Sequence, residues 1–420
     1  MAEPNRSQNW SKNIAYDAAE YAQPRSVEEL QELVAGAKKV KALGTRHSFN
    51  RVADTAGGLQ INTAALDLDV SVDHETMTAT VPGGWTYGAV AQALETEGVA
   101  LHNMGSLPHI SVAGGTATGT HGSGDSNQIL ASAISGIELV TADGSLRHYD
   151  RSNPELAAIA VGLGAFGVIT EMTLDVEPTY FMRQDVYLTS SWEIVLANLD
   201  DIMASAYSVN LHCHYAVPEF RTIWQKSRVA IGSDGKPEST EVPDELWGAT
   251  RWDTVIIEDR VTRATEPGPW LDRLPHFTPD GYPSSGGDEL QSEYFVRRTD
   301  GVAALEALRE LGERIDPHLR GTEIRSVASD ELWLSPSVGR DTLSIGFTWL
   351  KHPAEVIALL PDIEAALAPF SPTPHWGKLF AMGRDDLIDR FPRLDDFLSL
   401  ASELDPEGTF QNAFLQRLAT

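Results

Sequence analysis

The sequence predicts an α+β protein of two domains, and three observations lead to that expectation. The chain has 420 residues, more than the roughly 250–300 at which a single hydrophobic core stops growing. Its first part interleaves short stretches of alternating polarity with short amphipathic ones, most of them bounded by glycine. From about Arg183 the texture changes to longer alternating runs separated by tracts rich in Pro, Gly, Ser and Asp. The expected boundaries are residues 1–180 for the first domain and 181–370 for the second, with 371–420 as a closing segment.

Taken in order, residues 25–40 read as a helix. Ser26 can cap it, Glu28 and Glu29 suit its positive end, and Leu30, Leu33 and Val34 form an apolar stripe. Residues 40–43 read as a strand that ends in Gly44. A strand at 78–81 stops at Pro82, Gly83 and Gly84, and a helix follows at 87–97. Further strands are expected at 135–141 and 168–176, with helical character at 154–161. In the second part, residues 184–188, 208–215, 222–224 and 255–257 predict strands of a larger sheet, and 231–245 and 265–288 read as loops. A helix at 301–314, strands at 322–328 and 342–350 and a helix at 353–368 complete that part. The tail carries a His-Trp-Gly-Lys stretch, two polar helical pieces and a closing run from Asp405 to Phe410.

Composition narrows the function classes. The formal charge is −28, with 42 % hydrophobic and 22 % charged residues. A surface that acidic repels nucleic-acid phosphate and anionic lipid. It does not draw an anionic substrate inward either. Cys213 is the single cysteine, so no intrachain disulfide can form, which fits a reducing compartment. The polar start lacks the apolar core of a signal peptide, and the apolar run at 156–169 is too short to span a bilayer. The expectation is a cytoplasmic protein with no nucleic-acid or membrane partner. Its oligomeric state is open, and a monomer is compatible with the sequence.

Two local patterns invite a wrong reading. Residues 162–167, Gly-Leu-Gly-Ala-Phe-Gly, match the dinucleotide pattern G-x-G-x-x-G, but that motif needs a strand before it and a helix after it. Here the order is reversed, which predicts a helix-to-strand turn that can still lie against a cofactor. His212, Cys213 and His214 are adjacent on an expected strand and cannot all face one ion, so no metal site is expected.

Two segments carry chemistry. In the first, "GTRHSFN", Gly44 allows a tight turn directly after a strand. Successive backbone N–H groups in such a turn form a concave anion site suited to a pyrophosphate. His47 closes it, where an imidazole could meet a ring system beyond the phosphates or bond a neighbouring carbonyl. In the second, residues 103–124, small and hydroxyl side chains dominate. Such a run suits backbone approach to a long polar ligand, and Leu107, Pro108, Ile110 and Val112 argue against a solvated linker.

Together these segments resemble the FAD-binding domain of the vanillyl-alcohol-oxidase type, and most closely the alditol oxidases and their sugar-lactone oxidase relatives. The motifs "GTRHSFN", "SLPHISVAG", "ATGTHGSG", "ELQSEY", "EIR", "FTW" and "PHWGK" carry the resemblance in order along nearly the whole chain. It implies an FAD-binding domain, a mixed α/β substrate-cap domain and a C-terminal segment that returns to the first. It implies FAD bound covalently through His47, in a loop that includes Gly44, Thr45, Arg46 and Ser48. Gly105, Ser106, Ser111, Gly114, Thr118, Gly119, Thr120 and His121 would line the cofactor, Ile169 its adenine half, and His375 would approach the flavin. The pattern departs at Arg46, where several relatives carry glycine, and at Gly346, where alditol oxidases carry histidine.

The residues themselves suit alcohol oxidation. Glu323 and Arg325 lie two apart on an expected strand and so share a face, as do Gly346 and Thr348. A carboxylate and a guanidinium side by side either satisfy each other as a surface pair or, in a pocket, bind neighbouring hydroxyls. Lys378 could stabilise a developing alkoxide by charge, and Gln291 offers both amide donor and acceptor. The resemblance implies polyol contacts from Ser106, Glu323, Arg325, Thr348 and Lys378, with Lys378 and Arg325 activating the reacting hydroxyl. The expected reaction converts a terminal hydroxyl of a small neutral polyol to the aldehyde, with O2 reduced to H2O2. The alternatives are an aldonolactone oxidase or dehydrogenase, and a flavin-binding protein without turnover. Gly105 favours the oxidase by leaving oxygen room beside the flavin.

Overall fold

The computed structural model describes residues 7–420 apart from 234, 239–240, 254–260, 263–264, 280, 282 and 284. The strand expected at 255–257 therefore lies outside the described residues. Sheet membership changes near residue 180. Before it stand a three-stranded parallel sheet, with Leu59–Ile61 between Glu20–Ala22 and Val40–Ala42, and a five-stranded antiparallel sheet. The latter runs Ser71–Asp73, Thr78–Pro82, Val168–Asp175, Ile134–Val140, Leu146–Asp150. After it, a ten-stranded antiparallel sheet is built from residues between Phe181 and Pro374.

The helices form where capping and apolar spacing agree. Helix Val27–Gly36 starts at Ser26, whose side chain accepts from the Glu29 amide, and buries Leu30 and Val34 completely. Helix Tyr87–Thr96 starts at Thr86 in the same way and buries Val90, Ala91 and Leu94. The Gly162–Gly167 turn sits between helix Leu156–Ile159 and strand Val168–Asp175, the reverse of a dinucleotide fold, as the sequence order requires.

Strand Thr342–Leu350 shows how the large sheet divides its faces. Leu343, Ile345, Phe347 and Trp349 are buried on one face, while Ser344, Gly346 and Thr348 take the other. Helix Gly301–Glu310, through Ala304, Leu305 and Leu308, and helix Pro353–Leu367, through Val356, Leu360 and Ile363, contribute to the same hydrophobic core as those four residues. Strand Glu289–Arg297, next to it in the sheet, was not expected from the sequence as a strand. Its burial is nearly continuous, so the period-two signal is masked.

The chain end returns to the first part. Strand Thr373–Pro374 is the last of the large sheet, and residues 375–420 then pack against residues 40–54 and 163–166. The Val40 amide donates to Thr409 O at 2.8 Å, and Asn412 Nδ2 donates to Val52 O at 3.0 Å and Asp54 O at 2.8 Å. Phe397 meets Phe166 edge-on with ring centroids 5.0 Å apart. The buried Lys41 amine ties these pieces together, donating to the carbonyls of Leu163, Gly164 and Phe410 at 3.0–3.2 Å. Among the described residues no helix is long and apolar enough to cross a membrane.

Candidate active site

One cavity of about 580 Å³ runs between the first part of the chain and the large sheet. On its first wall side chains are small or absent. Gly44, Thr45, Arg46, His47 and Ser48 line it, with Gly105, Ser106, Ser111, Gly114, Thr118, Thr120, Ile169 and the Gly162–Gly167 turn. Glycine is required here by space. A Cβ on Gly84 would stand 2.5 Å from the backbone of Thr63 and Ala64, one on Gly83 2.9 Å from Ile169 Cγ2, and one on Gly114 2.7 Å from Ser111 Oγ. Arg46 adopts φ 66°, a left-handed conformation that glycine takes most readily. Gly119 is the exception among the expected cofactor residues. It does not line the cavity: a side chain there would run into Pro336 Cδ at 2.9 Å and approach Trp376, on the C-terminal side.

His47 stands at the end of this wall. Its Nδ1 lies 3.1 Å from Thr45 Oγ1, while its Nε2 is enclosed and has no hydrogen-bond partner. Burial, assisted by His109, pushes the imidazole down to about 4, so the ring is neutral at physiological pH. Trp10 stacks on it with centroids 5.3 Å apart and planes inclined by 21°, a contact the sequence did not signal.

The opposite wall is the polar face of the large sheet, and its register orders the charged groups. One rung reads Glu293, Gly346, Glu323, His212, Thr222 across five strands. The next reads Phe295, Ser344, Arg325, Asn210, Trp224. Gln291 and Thr348 pair on the other side. Glu323 and Arg325 therefore share a face, as do Gly346 and Thr348, as their spacing predicts.

The C-terminal return brings in His375 and Lys378. The loop is pinned on both sides: the His375 amide donates to Glu293 O at 3.0 Å and the Leu379 amide to Gln291 O at 2.9 Å. Asn50 Nδ2 donates to the carbonyls of Trp376 and Lys378, both at 2.7 Å, and the Phe49 amide to Gly377 O at 2.7 Å. The His47 loop and the Lys378 loop are thus fastened directly to each other.

The organising residue is Glu293, which sequence reasoning left inside a motif without a role. It is fully buried, yet accepts from Lys378 Nζ at 2.8 Å and Arg325 Nη2 at 2.9 Å, with His121 Nε2 at 3.1 Å. Burial opposes its ionisation, but Lys378, His121 and Arg325 hold the carboxyl well below the usual range. Arg325 also pairs with Glu323, whose Oε2 lies 3.7 Å away, but Glu293 is the nearer carboxylate. The available signal was a glutamate on the alternating face of "ELQSEY", two residues beyond Gln291.

Charge balances within the Glu293 cluster. Burial opposes ionisation of Glu323, but Arg325, His212 and His276 hold it at about 2. Burial pushes His121 and His375 down despite the carboxylate of Glu293, so both are neutral. Glu293 and Glu323 therefore face two cations here, Lys378 and Arg325, while Arg46, Arg221 and Arg320 line the cavity elsewhere. His375 Nδ1 accepts from the Gly377 amide at 3.1 Å, which leaves the ring proton on Nε2. Arg325 Nε is buried without a partner, and Nη1 lies 3.5 Å from Ser106 Oγ. Lys378 spends one of its three N–H groups on Glu293.

The cleft of missing side chains fits an extended dinucleotide, and the enclosed, neutral and unpartnered His47 fits a ring system at its end. Comparison with known proteins agrees. Residues 18–150 match the family described as "FAD binding domain", and residues 289–418 the family described as "D-arabinono-1,4-lactone oxidase". Over 98 % of both chains, the sequence is 41 % identical to the alditol oxidase of a Streptomyces species. It is 28 % identical to the L-gulono-1,4-lactone dehydrogenase of Mycobacterium tuberculosis over 98 % of both chains. Cholesterol oxidase from Brevibacterium sterolicum shares the fold with a TM-score of 0.79 at 15 % identity, covering 98 % of this chain and 96 % of that one.

Proposed function

The chain belongs to the alditol oxidase family of vanillyl-alcohol-oxidase-type, FAD-linked oxidases, and from that premise we propose that it oxidises a terminal hydroxyl of a small neutral polyol. Xylitol, sorbitol and glycerol are the substrate class. The alcohol loses two hydrogens to give the aldehyde, and O2 takes up both as H2O2. The observation that carries the reading is the buried Glu293 holding Lys378 and Arg325, beside Glu323, in one cavity with His47. Balanced charge within that cluster favours hydroxyl groups there over a carboxylate or phosphate.

FAD, when bound, supplies the two-electron acceptor for the hydride that leaves carbon. The chain's own groups bind and orient. Lys378 and Arg325, both held by Glu293, are the donors for the reacting oxygen and stabilise negative charge there. Glu323 accepts from a neighbouring hydroxyl, and Gln291, Thr348 and Ser106 are placed to bond the others. Gly105 keeps that stretch of wall free of a side chain, which supports oxygen as the acceptor. In this reading residues 1–180 hold the cofactor, 181–370 form the substrate wall and 371–420 return to complete the site. The buried single Cys213 and the acidic surface suit a cytoplasmic setting.

His47 is the covalent attachment point in this proposal, because bond formation to the flavin needs a neutral imidazole nitrogen and Nε2 has no other partner. Acid-precipitated protein is expected to stay yellow, with the flavin on a peptide containing residues 41–50; complete release of FAD into the supernatant sinks this assignment. His47→Ala is expected to hold only dissociable FAD. The lactone alternative draws support from the family named for a lactone oxidase over residues 289–418. Oxygen uptake with xylitol, sorbitol, glycerol and L-gulono-1,4-lactone decides. Flavin reduction by the lactone alone replaces the polyol reading, and reduction without reoxidation by oxygen makes the enzyme a dehydrogenase.

A further inference from the structure

The Glu293 rung does not stop at Glu323. It continues onto two more strands as His212 and Thr222, and the neighbouring rung carries Trp224 beside Thr222. These side chains form a compact group with His276. The rings of His212 and Trp224 are 5.6 Å apart, those of Trp224 and His276 4.9 Å, and those of His212 and His276 6.4 Å. All of them line the same cavity, with Arg221 at the exposed rim. His212 Nε2 is 3.9 Å from Glu323 Oε1, so the group is continuous with the substrate wall.

Its chemistry differs from that of the reacting end. His212 and Trp224 both point hydrogen-bonding atoms at Thr222 Oγ1, each at 3.0 Å. Among the described residues the His276 ring makes no hydrogen bond, and Arg221 makes neither a hydrogen bond nor an ion pair. Burial keeps His212 and His276 uncharged, the latter at about 3. The surface therefore offers aromatic faces, neutral donors and acceptors, and one guanidinium, the mixture that suits the C–H faces and hydroxyls of a sugar ring.

Reach decides what could use it. Neighbouring strands lie about 4.8 Å apart, so Thr222 is about 10 Å beyond Glu323 along the rung. An extended chain gains about 1.2 Å per bond, so a six-carbon alditol with its second hydroxyl at Glu323 reaches about 5–6 Å past that residue, to His212 but short of Thr222. We infer that His212, Thr222, Trp224, His276 and Arg221 form a distal subsite for a second sugar unit carried on the far end of the alditol. This deepens the polyol reading and rests on it.

The experiment compares isomaltitol, a sorbitol with glucose on its O6, with sorbitol and glycerol by oxygen uptake on the flavin-loaded enzyme. The wild type is expected to oxidise isomaltitol. In Trp224→Ala the ratio of kcat/KM for isomaltitol over glycerol is expected to fall about fivefold to tenfold, the scale of one lost aromatic contact. Arg221→Ala, at an exposed position that does not endanger folding, is expected to lower the same ratio. A wild type that oxidises glycerol and sorbitol but refuses isomaltitol overturns the subsite, as does an unchanged ratio in both variants. Failure of all three polyols to reduce the flavin overturns the polyol reading itself, and the subsite with it.

Discussion

The two walls of the cavity are built on opposite principles. The wall from residues 44–169 works by omission: at Gly44, Gly83, Gly84 and Gly114 a side chain would collide with Ser111, Ile169 or the Thr63–Ala64 backbone. The wall from residues 291–378 works by saturation, where the buried Glu293 is surrounded by three partners. The first is sensitive to anything added and the second to anything removed.

The largest effect should come from removal at the saturated wall. Glu293→Ala leaves Lys378 and Arg325 facing each other without their carboxylate. Removing one partner of a buried ion pair typically costs about 3–5 kcal/mol, to be read as a fall in the denaturant midpoint of the flavin-loaded protein. A loss below about 1 kcal/mol would mean that the network is loose, and the comparison would fail. Lys378→Met, next in size, should slow anaerobic flavin reduction by about 100- to 1,000-fold, the usual cost of about 2.7–4 kcal/mol for losing a preorganised donor. The flavin spectrum should be unaltered, and unchanged reduction kinetics would remove the lysine from the chemistry.

At the wall of omission, Gly84→Ala adds one methyl group where 2.5 Å separates it from the Thr63–Ala64 backbone. Overpacking of this kind costs about 1–3 kcal/mol. The expected readout is lower FAD content together with a lower thermal midpoint, whereas full occupancy and an unchanged midpoint would show that the turn yields. The smallest effect is that of pH. Glu323 is held at about 2 against an ordinary value of 4.5. A carboxyl lowered on folding contributes stability that is fully present above its unfolded value and is lost as pH falls towards its folded value. The urea midpoint should therefore drop between pH 4.5 and 2, and Glu323→Gln should flatten that limb. Identical pH profiles for the two proteins would show that Glu323 is not held by its neighbours.

Much of this was legible in the sequence, and the gaps have physical causes. The helix at Val27–Gly36 and the strand at Thr342–Leu350 announce themselves because each has one wet face and one dry one. The glycine turn was placed correctly by its order relative to helix and strand. Strand Glu289–Arg297 was missed because both its faces are covered, and Glu293 went with it. Spacing along one strand reports that Glu323 and Arg325 share a face, but not that Glu293, two strands away, is the nearer carboxylate to Arg325. Register between Glu289–Arg297 and Thr342–Leu350 sets Glu293 opposite Gly346, and a glycine there leaves the carboxylate free to turn towards Arg325.

Lys41 gives the molecule a fixed order of completion. Its amine bonds the Leu163 and Gly164 carbonyls, and also that of Phe410, 369 residues further along. At a synthesis rate of about 5–20 residues per second, strand Val40–Ala42 waits about 20–75 s for the partner that covers it. His375 and Lys378 likewise follow the cofactor wall by more than 200 residues, so the two sides of the cavity can meet only after the large sheet has been made.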